Sequence, residues 1–549
     1  MRRPVSDLVV EPRKTCDGCK MPGAWFLGGE SLLERHKVEC PLLRFTFAIQ
    51  EGADLMPDNA DSLIRQAYST ELFAEAAQHW VGLLTSHLQQ VQAGGTRVLN
   101  WAMPETLIAA ASGALRDSGV EAGMSRADRV RELFSRMLTS GQNLHHPHYI
   151  GHQVPASIPL AGLFDAVSGV TNQVMAIYEM GPWATAVEYA LLGELSRKVG
   201  WDAETGTGLL THGGSLANLT ALLTARNVSV ADSWQQGVPP GVTLVTNADV
   251  HYCVTRTAGL LGLGARNVRR IPLDPRRRMD VDALDDALVE LRSAGRTVMA
   301  VSACAGSTPT GAFDDLQSIA EVCRRHEVWM HVDAAHGGSL LFSGTHRHRL
   351  AGIERADSLV WDAHKMLFVP ALCTAVLYRN RAHRFATFQQ DAPYLFDPSA
   401  PGMADIDSGM RTVECTKRAT GSGLWGLWCL FGEELFEQLV DHTLQRTQQL
   451  YQLLQAESDF QTLHEPECNI LAFRHVPKDV DEWPLERQNA FQREVRTRLI
   501  RSGEFYIVQT TLDGLAALRT TVMNPLTTLQ DLAELIDAIR RTGRQILAG

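Results

Sequence analysis

Between about residues 185 and 380 the chain alternates short apolar runs with amphipathic stretches. The runs are GLLTHGG (208–214), VTLVTN (242–247), VRRIPL (268–273), TVMAVSA (297–303), VWMHVDAA (328–335), DSLVWDAHK (357–365) and ALCTAVLY (371–378). Between them, SLANLTALLTARN, DVDALDDALVELRSAG and DDLQSIAEVCRRH repeat apolar residues at helical spacing. Strands buried on both faces read as continuous apolar runs, and helices between them give parallel pairing. The pattern therefore predicts an α/β domain with a mostly parallel, seven-stranded sheet. Before it, STELFAEAAQHWVGLLTSHLQQV and SRADRVRELFSRML predict amphipathic helices. After it, helices and the runs CNILAFR, FYIVQTTL and ALRTTVMN predict a smaller C-terminal α+β domain. The expected organisation is an extension over 1–55, a helical segment over 56–150, the large domain over 151–425 and the small domain over 426–549. Residues 394–411, YLFDPSAPGMADIDSGMR, read as a long loop, and such loops in compact domains are often functional.

Composition narrows the function classes. The 549 residues are 45% hydrophobic and 21% charged, with a formal charge of -11. That is a globular composition, and the acidic balance argues against nucleic acid or an anionic membrane as partner. No apolar run approaches the roughly 18 residues of a membrane span. The start MRRPVSDLVVEPRK has no apolar core to make a signal peptide, and the ten cysteines are scattered. Free thiols and a cytoplasmic location are expected. Cys16, Cys19, His36 and Cys40 have spacings compatible with tetrahedral zinc. The sixteen residues between the pairs lack a zinc-finger pattern, however, so a disordered tail or an over-long start is the competing reading.

Four candidate groups fall just after apolar runs. Lys365 follows SLVWDAH, where it is either a strand-end lysine reaching solvent or a nucleophilic amine for a Schiff base. Burial behind that run is expected to lower its pKa. Gly213-Gly214-Ser215 lies between a strand and a helix, where backbone N–H groups can receive phosphate or Ser215 can simply cap the helix. Asp333 ends a strand ahead of two alanines and is either an acidic turn residue or a carboxylate holding a pyridinium proton. His251 follows VTLVTNADV and suits stacking on a flat ring, or a surface helix start. Open α/β sheets bind ligands at the carboxyl ends of their strands, so the four can converge.

The ordered set HGGSLAN, ADVH, HVDAAHGG and WDAHK resembles the pyridoxal-phosphate-dependent group II amino acid decarboxylases, over roughly residues 65–545. That family includes glutamate, aromatic amino acid and diaminobutyrate decarboxylases. The resemblance implies the aspartate-aminotransferase-like fold (fold type I), pyridoxal 5'-phosphate as cofactor, and a homodimer with active sites at the subunit interface. It implies that Lys365 carries the internal aldimine, Asp333 pairs with the pyridine nitrogen, Ala335 lies under the ring and His251 stacks over it. Gly214 and Ser215 would hold phosphate and His364 would add a polar contact, with Asp362 and Ser358 as weaker candidates. Lys365, His251 and Asp333 form the expected catalytic set. Arg519 matches an arginine that binds a substrate carboxylate in some members, although a structural role at a strand end stays open. HPHYIGHQV, RTVECTKR and NPLTT resemble the diaminobutyrate branch, and there His152 and Gln153 are expected at the substrate pocket. The substrate is expected to be diaminobutyrate, glutamate or aspartate.

One departure stands out. Many members carry a loop tyrosine that protonates the carbanion; Gly402 occupies about that position here, and no tyrosine lies between Tyr394 and Tyr451. In relatives lacking it, oxidative release of an aldehyde occurs. Decarboxylation to an amine is the expected reaction, with an aldehyde-forming oxidative deaminase as the alternative and a non-catalytic scaffold third.

Overall fold

Each of the seven apolar runs forms a strand of one sheet. The strands are β1 (Thr207–Thr211), β2 (Val242–Asn247), β3 (Val268–Ile271), β4 (Thr297–Cys304), β5 (Met330–Asp333), β6 (Ser358–Asp362) and β7 (Thr374–Tyr378). Their order is β1-β7-β6-β5-β4-β2-β3. Pairing is parallel from β6 through β3. Only β7 runs against its neighbours β6 and β1, so the other six strands point the same way. Every residue of β1, β2, β6 and β7 is buried, which accounts for their unbroken apolar character. The computed structural model describes residues 63–116, 123–202, 206–388 and 406–549. The Cys16–Cys19–His36–Cys40 set, Gly402 and most of the expected loop lie outside the described residues.

Two units divide the chain, Met1–Tyr68 and Ser69–Gly549, and the second carries the sheet. It opens with α1 (Thr70–Gln92), α2 (Pro104–Arg116), α3 (Arg126–Ser140) and α4 (Pro159–Thr171). Ser69 and Ser125 cap α1 and α3 by accepting from Leu72 and Asp128 N–H groups. Helices α5 (Pro182–Val199), α6 (Gly214–Ser229), α7 (Tyr252–Leu260), α8 (Val281–Ser293) and α9 (Leu316–His326) accompany the large sheet. At the C-terminus, α10 (Glu434–Gln455), α11 (Leu485–Ser502) and α12 (Leu529–Leu547) pack on a four-stranded antiparallel sheet. Its strands are β8 (Phe460–Thr462), β9 (Ile470–His475), β10 (Val508–Leu512) and β11 (Leu515–Thr521), in the order β8-β9-β11-β10. Among the described residues no helix is long and apolar enough to cross a membrane.

Two buried polar devices fix the ends of strands near the site. Strand β1 lies at the edge of the sheet, so its backbone needs partners on its open side. Glu188 accepts from the Leu210 N–H at 3.2 Å, and Lys417 donates to the Leu210 carbonyl at 2.6 Å. The two side chains pair with each other at 2.5 Å and are almost wholly buried. The second device is Asp314, which accepts from the N–H groups of Met279 and Cys304, both at 2.7 Å, and from the Asn247 amide. It joins the carboxyl ends of β2 and β4, and burial pushes its carboxyl up to about 6 against these donors.

Candidate active site

The carboxyl ends of the parallel strands meet around a cavity of about 180 Å³. Gly214, Ser215, His251, Asp333, Ala335, Asp362 and Lys365 all line it. Each arrives by a short path from a strand end. Asp333 and Asp362 are the last residues of β5 and β6, and Lys365 follows Asp362 in a tight turn closed by its own N–H to the Asp362 carbonyl at 3.2 Å. His251 is the N-cap of α7, four residues beyond β2. Gly213 reaches φ 98, a left-handed turn that glycine permits, and lets α6 begin at once after β1. Helix α6 has no capping side chain, so its first-turn N–H groups and positive dipole end remain available to an anion. A Cβ on Gly214 would lie 3.1 Å from an Asp362 oxygen and 3.6 Å from the Ala335 methyl, which shows how closely the three elements converge.

Charge at the site centres on Lys365. Its Nζ donates to Asp362 Oδ2 at 2.8 Å, while Thr374 Oγ1 donates to Asp362 Oδ1 at 2.6 Å. Burial works against the ammonium, but the charge and hydrogen bond of Asp362 and the charge of Asp333 outweigh it and leave Lys365 above its ordinary value. This corrects the expectation that burial would lower it. An ion pair buried with the lysine reverses the sign. Burial likewise opposes ionisation of Asp362, yet Lys365, His364 and the Thr374 hydroxyl hold it below the usual carboxylate range. Asp333 is raised, chiefly by burial; its Oδ1 accepts from the Ala335 N–H at 3.2 Å. His251 is lowered by burial and so is neutral near pH 7. Its ring nitrogen Nδ1 accepts from the Cys253 N–H at 3.4 Å, which assigns the proton to Nε2.

Other expected residues fall outside the cavity wall. His364 is buried, with Nδ1 2.9 Å from the Cys373 carbonyl and Nε2 3.8 Å from Asp362, so it faces the carboxylate rather than the cavity. Ser358 stands at the opposite end of β6 from Asp362, where it accepts from Trp329 Nε1 and contacts His331, both at 2.9 Å. A direct ligand contact by Ser358 is thus ruled out by the length of the strand. Arg519, 6% exposed, touches the wall indirectly by donating to the Thr308 carbonyl at 2.6 Å. His152 is exposed, with its ring 5.8 Å from that of Tyr506, and Gln153 has a buried amide nitrogen without a partner among the described residues. Asn218, Cys253, Cys304, Gly306, Thr308 and His336 also line the cavity and were missed by sequence reasoning. Asn218 carried a usable signal: it lies one helical turn beyond Gly214 and donates to the Gly214 carbonyl at 2.9 Å.

The donor set fits pyridoxal 5'-phosphate: an amine, an uncapped helix N-terminus, a buried carboxylate and small residues beside it. Fold and site together define a pyridoxal phosphate enzyme of fold type I. Residues 122–476 match the pyridoxal-dependent decarboxylase conserved domain, and the chain belongs to that family. It is similar to the L-2,4-diaminobutyrate decarboxylase of Acinetobacter baumannii, 28% identical across 77% of this chain and 85% of that protein. It is also similar to the cysteine sulfinic acid decarboxylase of Rattus norvegicus, 31% identical across 82% of this chain and 92% of that one. The crystal structure of mouse CSAD superposes with a TM-score of 0.78 and 28% identity, covering 86% of this chain and 99% of that one. The protein is therefore a pyridoxal-phosphate-dependent carboxy-lyase acting on an amino acid.

Proposed function

We propose that this enzyme converts a small acyclic polar L-amino acid to its amine and CO2, with diaminobutyrate, glutamate and aspartate as the candidates. The observation that carries the reading is the convergence of Lys365, Asp362, Asp333 and His251 at one cavity facing the free N-terminus of α6. When bound, pyridoxal phosphate supplies an aldehyde for the lysine amine and a protonated ring that withdraws the electron pair left by departing CO2. Lys365 would hold it through its amine, and Asp362 would orient that side chain whenever the amine is free. The first turn of α6 and Ser215 would bind the phosphate through N–H and O–H donors. Asp333 would keep the ring nitrogen protonated, since a buried carboxylate gains most by facing a cation. Ala335 would leave room for a flat ring, and His251 would stack on it. The Nε2–H of His251 is the proton source for the substrate carbon in the absence of a loop tyrosine. Arg519 pairs with a substrate carboxylate.

Purified enzyme should show a visible cofactor band that Lys365→Ala abolishes, and should release CO2 and amine from one of a panel of L-amino acids. A band unchanged by Lys365→Ala would sink the reading. The missing tyrosine favours one second reading, an aldehyde-forming oxidative deaminase; peroxide and aldehyde appearing in step with CO2 would replace the first with it.

The same proposal includes a homodimer with interface active sites. Phe73, Trp80, Phe134, Leu163, Val167 and Val170 line an almost wholly apolar groove of about 520 Å³ among α1, α3 and α4. Val167 and Val170 are 61% and 65% exposed, a surface that a second copy would cover. A monomer by light scattering would end that part.

A further inference from the structure

His336 is the second polar residue of HVDAAHGG that faces the cavity, and the mechanism above leaves it without a task. It is 2% exposed. Its protonation pattern follows from its neighbour. Asn469 Nδ2 donates to the Val522 carbonyl at 3.0 Å, which fixes the amide and turns Oδ1 towards His336. His336 Nε2 lies 2.7 Å from that oxygen and must carry the proton. Nδ1 is then a bare lone pair, buried and without a hydrogen-bond partner among the described residues. Buried acceptors are nearly always satisfied, so one left open at a substrate cavity marks a place for a ligand donor.

The second unmatched group nearby is Arg519. It has no carboxylate partner among the described residues, and its Nε is buried without an acceptor. The α-carboxylate, present in every amino acid substrate, satisfies it. What remains is an acceptor rather than a second cation. We infer that His336 determines specificity, accepting a hydrogen bond from a substrate side chain that ends in an N–H or O–H donor and disfavouring a second carboxylate or sulfinate. Burial, with the charges of Lys365 and Arg519 pressing in the same direction, holds the imidazole down to about 3. It cannot gain the proton that an acidic side chain would need. The two relatives named above differ in this respect, one acting on an ammonium-bearing amino acid and the other on a sulfinate.

This inference rests on the decarboxylase reading. The test is kcat/KM of the holoenzyme for L-2,4-diaminobutyrate (ammonium), L-homoserine (hydroxyl), L-aspartate, L-glutamate and L-cysteine sulfinate. The better donor-bearing substrate should exceed every acid by about tenfold or more, because a buried acceptor rejects side chains that cannot pair with it. The diaminobutyrate and homoserine arms separate ammonium from hydroxyl. His336→Leu should reduce that advantage by about tenfold, mainly through KM, while the acids change little. Asn469→Asp, which raises the basicity of the ring, should move the preference towards the acids as pH falls. Preference for an acid in the unaltered enzyme, or an equal loss for all substrates in His336→Leu, overturns the inference and leaves the decarboxylase intact. CO2 from no amino acid would defeat the decarboxylase reading and this inference with it.

Discussion

Replacing Asp362 with asparagine isolates what holds Lys365 in its charged form. At 2.8 Å and an effective dielectric of about 20, the attraction is roughly 6 kcal/mol. The amide oxygen of the new side chain would keep a hydrogen bond to the ammonium, and Asp333 would still act on it. If only a third of the attraction is lost, about 2 kcal/mol goes, which exceeds one pKa unit at about 1.4 kcal/mol per unit. Lys365 should therefore fall from its raised position, because burial is then poorly opposed. The sign can be read without cofactor. Reductive methylation of the apoenzyme by formaldehyde, followed by mass spectrometry of the Lys365 peptide over a pH series, reports the neutral amine. The midpoint should move down in Asp362→Asn relative to surface lysines in the same digest. A midpoint that stays or rises would show that Asp362 does not set the charge of the lysine.

Two further outcomes follow from buried charges. Glu188→Gln strands Lys417 as an unpaired buried cation and should cost about 3–5 kcal/mol in guanidinium unfolding, whereas Glu188→Gln with Lys417→Met should recover much of the loss; equal damage in both would contradict the pairing. His331 and His336 are pushed down to about 3 by burial, from 6.5, so the unfolded chain binds more protons than the folded one between those values. Stability should accordingly fall as pH drops below 6.5, by roughly tenfold per histidine in the unfolding equilibrium at pH 5.5 and about 3 kcal/mol for the two. Denaturant midpoints at fixed protein concentration that do not change between about pH 7.5 and 5.5 would refute it.

Legibility in the sequence followed the physics of the sheet. A strand buried on both faces must be apolar throughout, which made β1, β2, β5, β6 and β7 legible. β3, with Arg269 and Arg270 exposed, was read from the apolar residues around them, and chemistry placed at the carboxyl ends could be read as one set. The reversal of β7 could not be read. Its apolar run is the same in either direction, and only the short link from β6 gives it room to turn back. Cys304 was missed because an apolar residue at a strand end looks like core, Thr308 because it lies in the segment beyond that end, and Asn218 because a polar residue inside a helix looks like a solvent-facing one. Lys417 and Glu188 were missed because the edge strand they complete is 207 and 22 residues away from them in sequence. The sign of the Lys365 shift failed for a related reason: burial shows in a run of apolar residues, but the pairing of two charges three positions apart shows only once the turn is built.

The cavity wall around Thr308 and His336 belongs to neither sheet alone. The segment after β4 supplies Gly306 and Thr308 to the cavity and is gripped from the C-terminal sheet on several sides. Arg519 of β11 donates to Thr308, Glu467 accepts from the Phe313 N–H at 3.1 Å, and a Cβ on Gly311 would lie 2.8 Å from that of Cys468. Asn469, next to Cys468, sets the proton of His336. Gly306 itself sits at φ 89, where an added Cβ would meet the Gly337 nitrogen at 2.8 Å, so this segment has little freedom to adjust. Gly214, His251, Asp333 and Lys365 are set by the large sheet and its turns, whereas Thr308, Arg519 and His336, the groups we propose read a substrate, are set by contacts across this joint. Substitutions on β9 and β11 that never touch the cavity should therefore alter substrate choice more than cofactor binding.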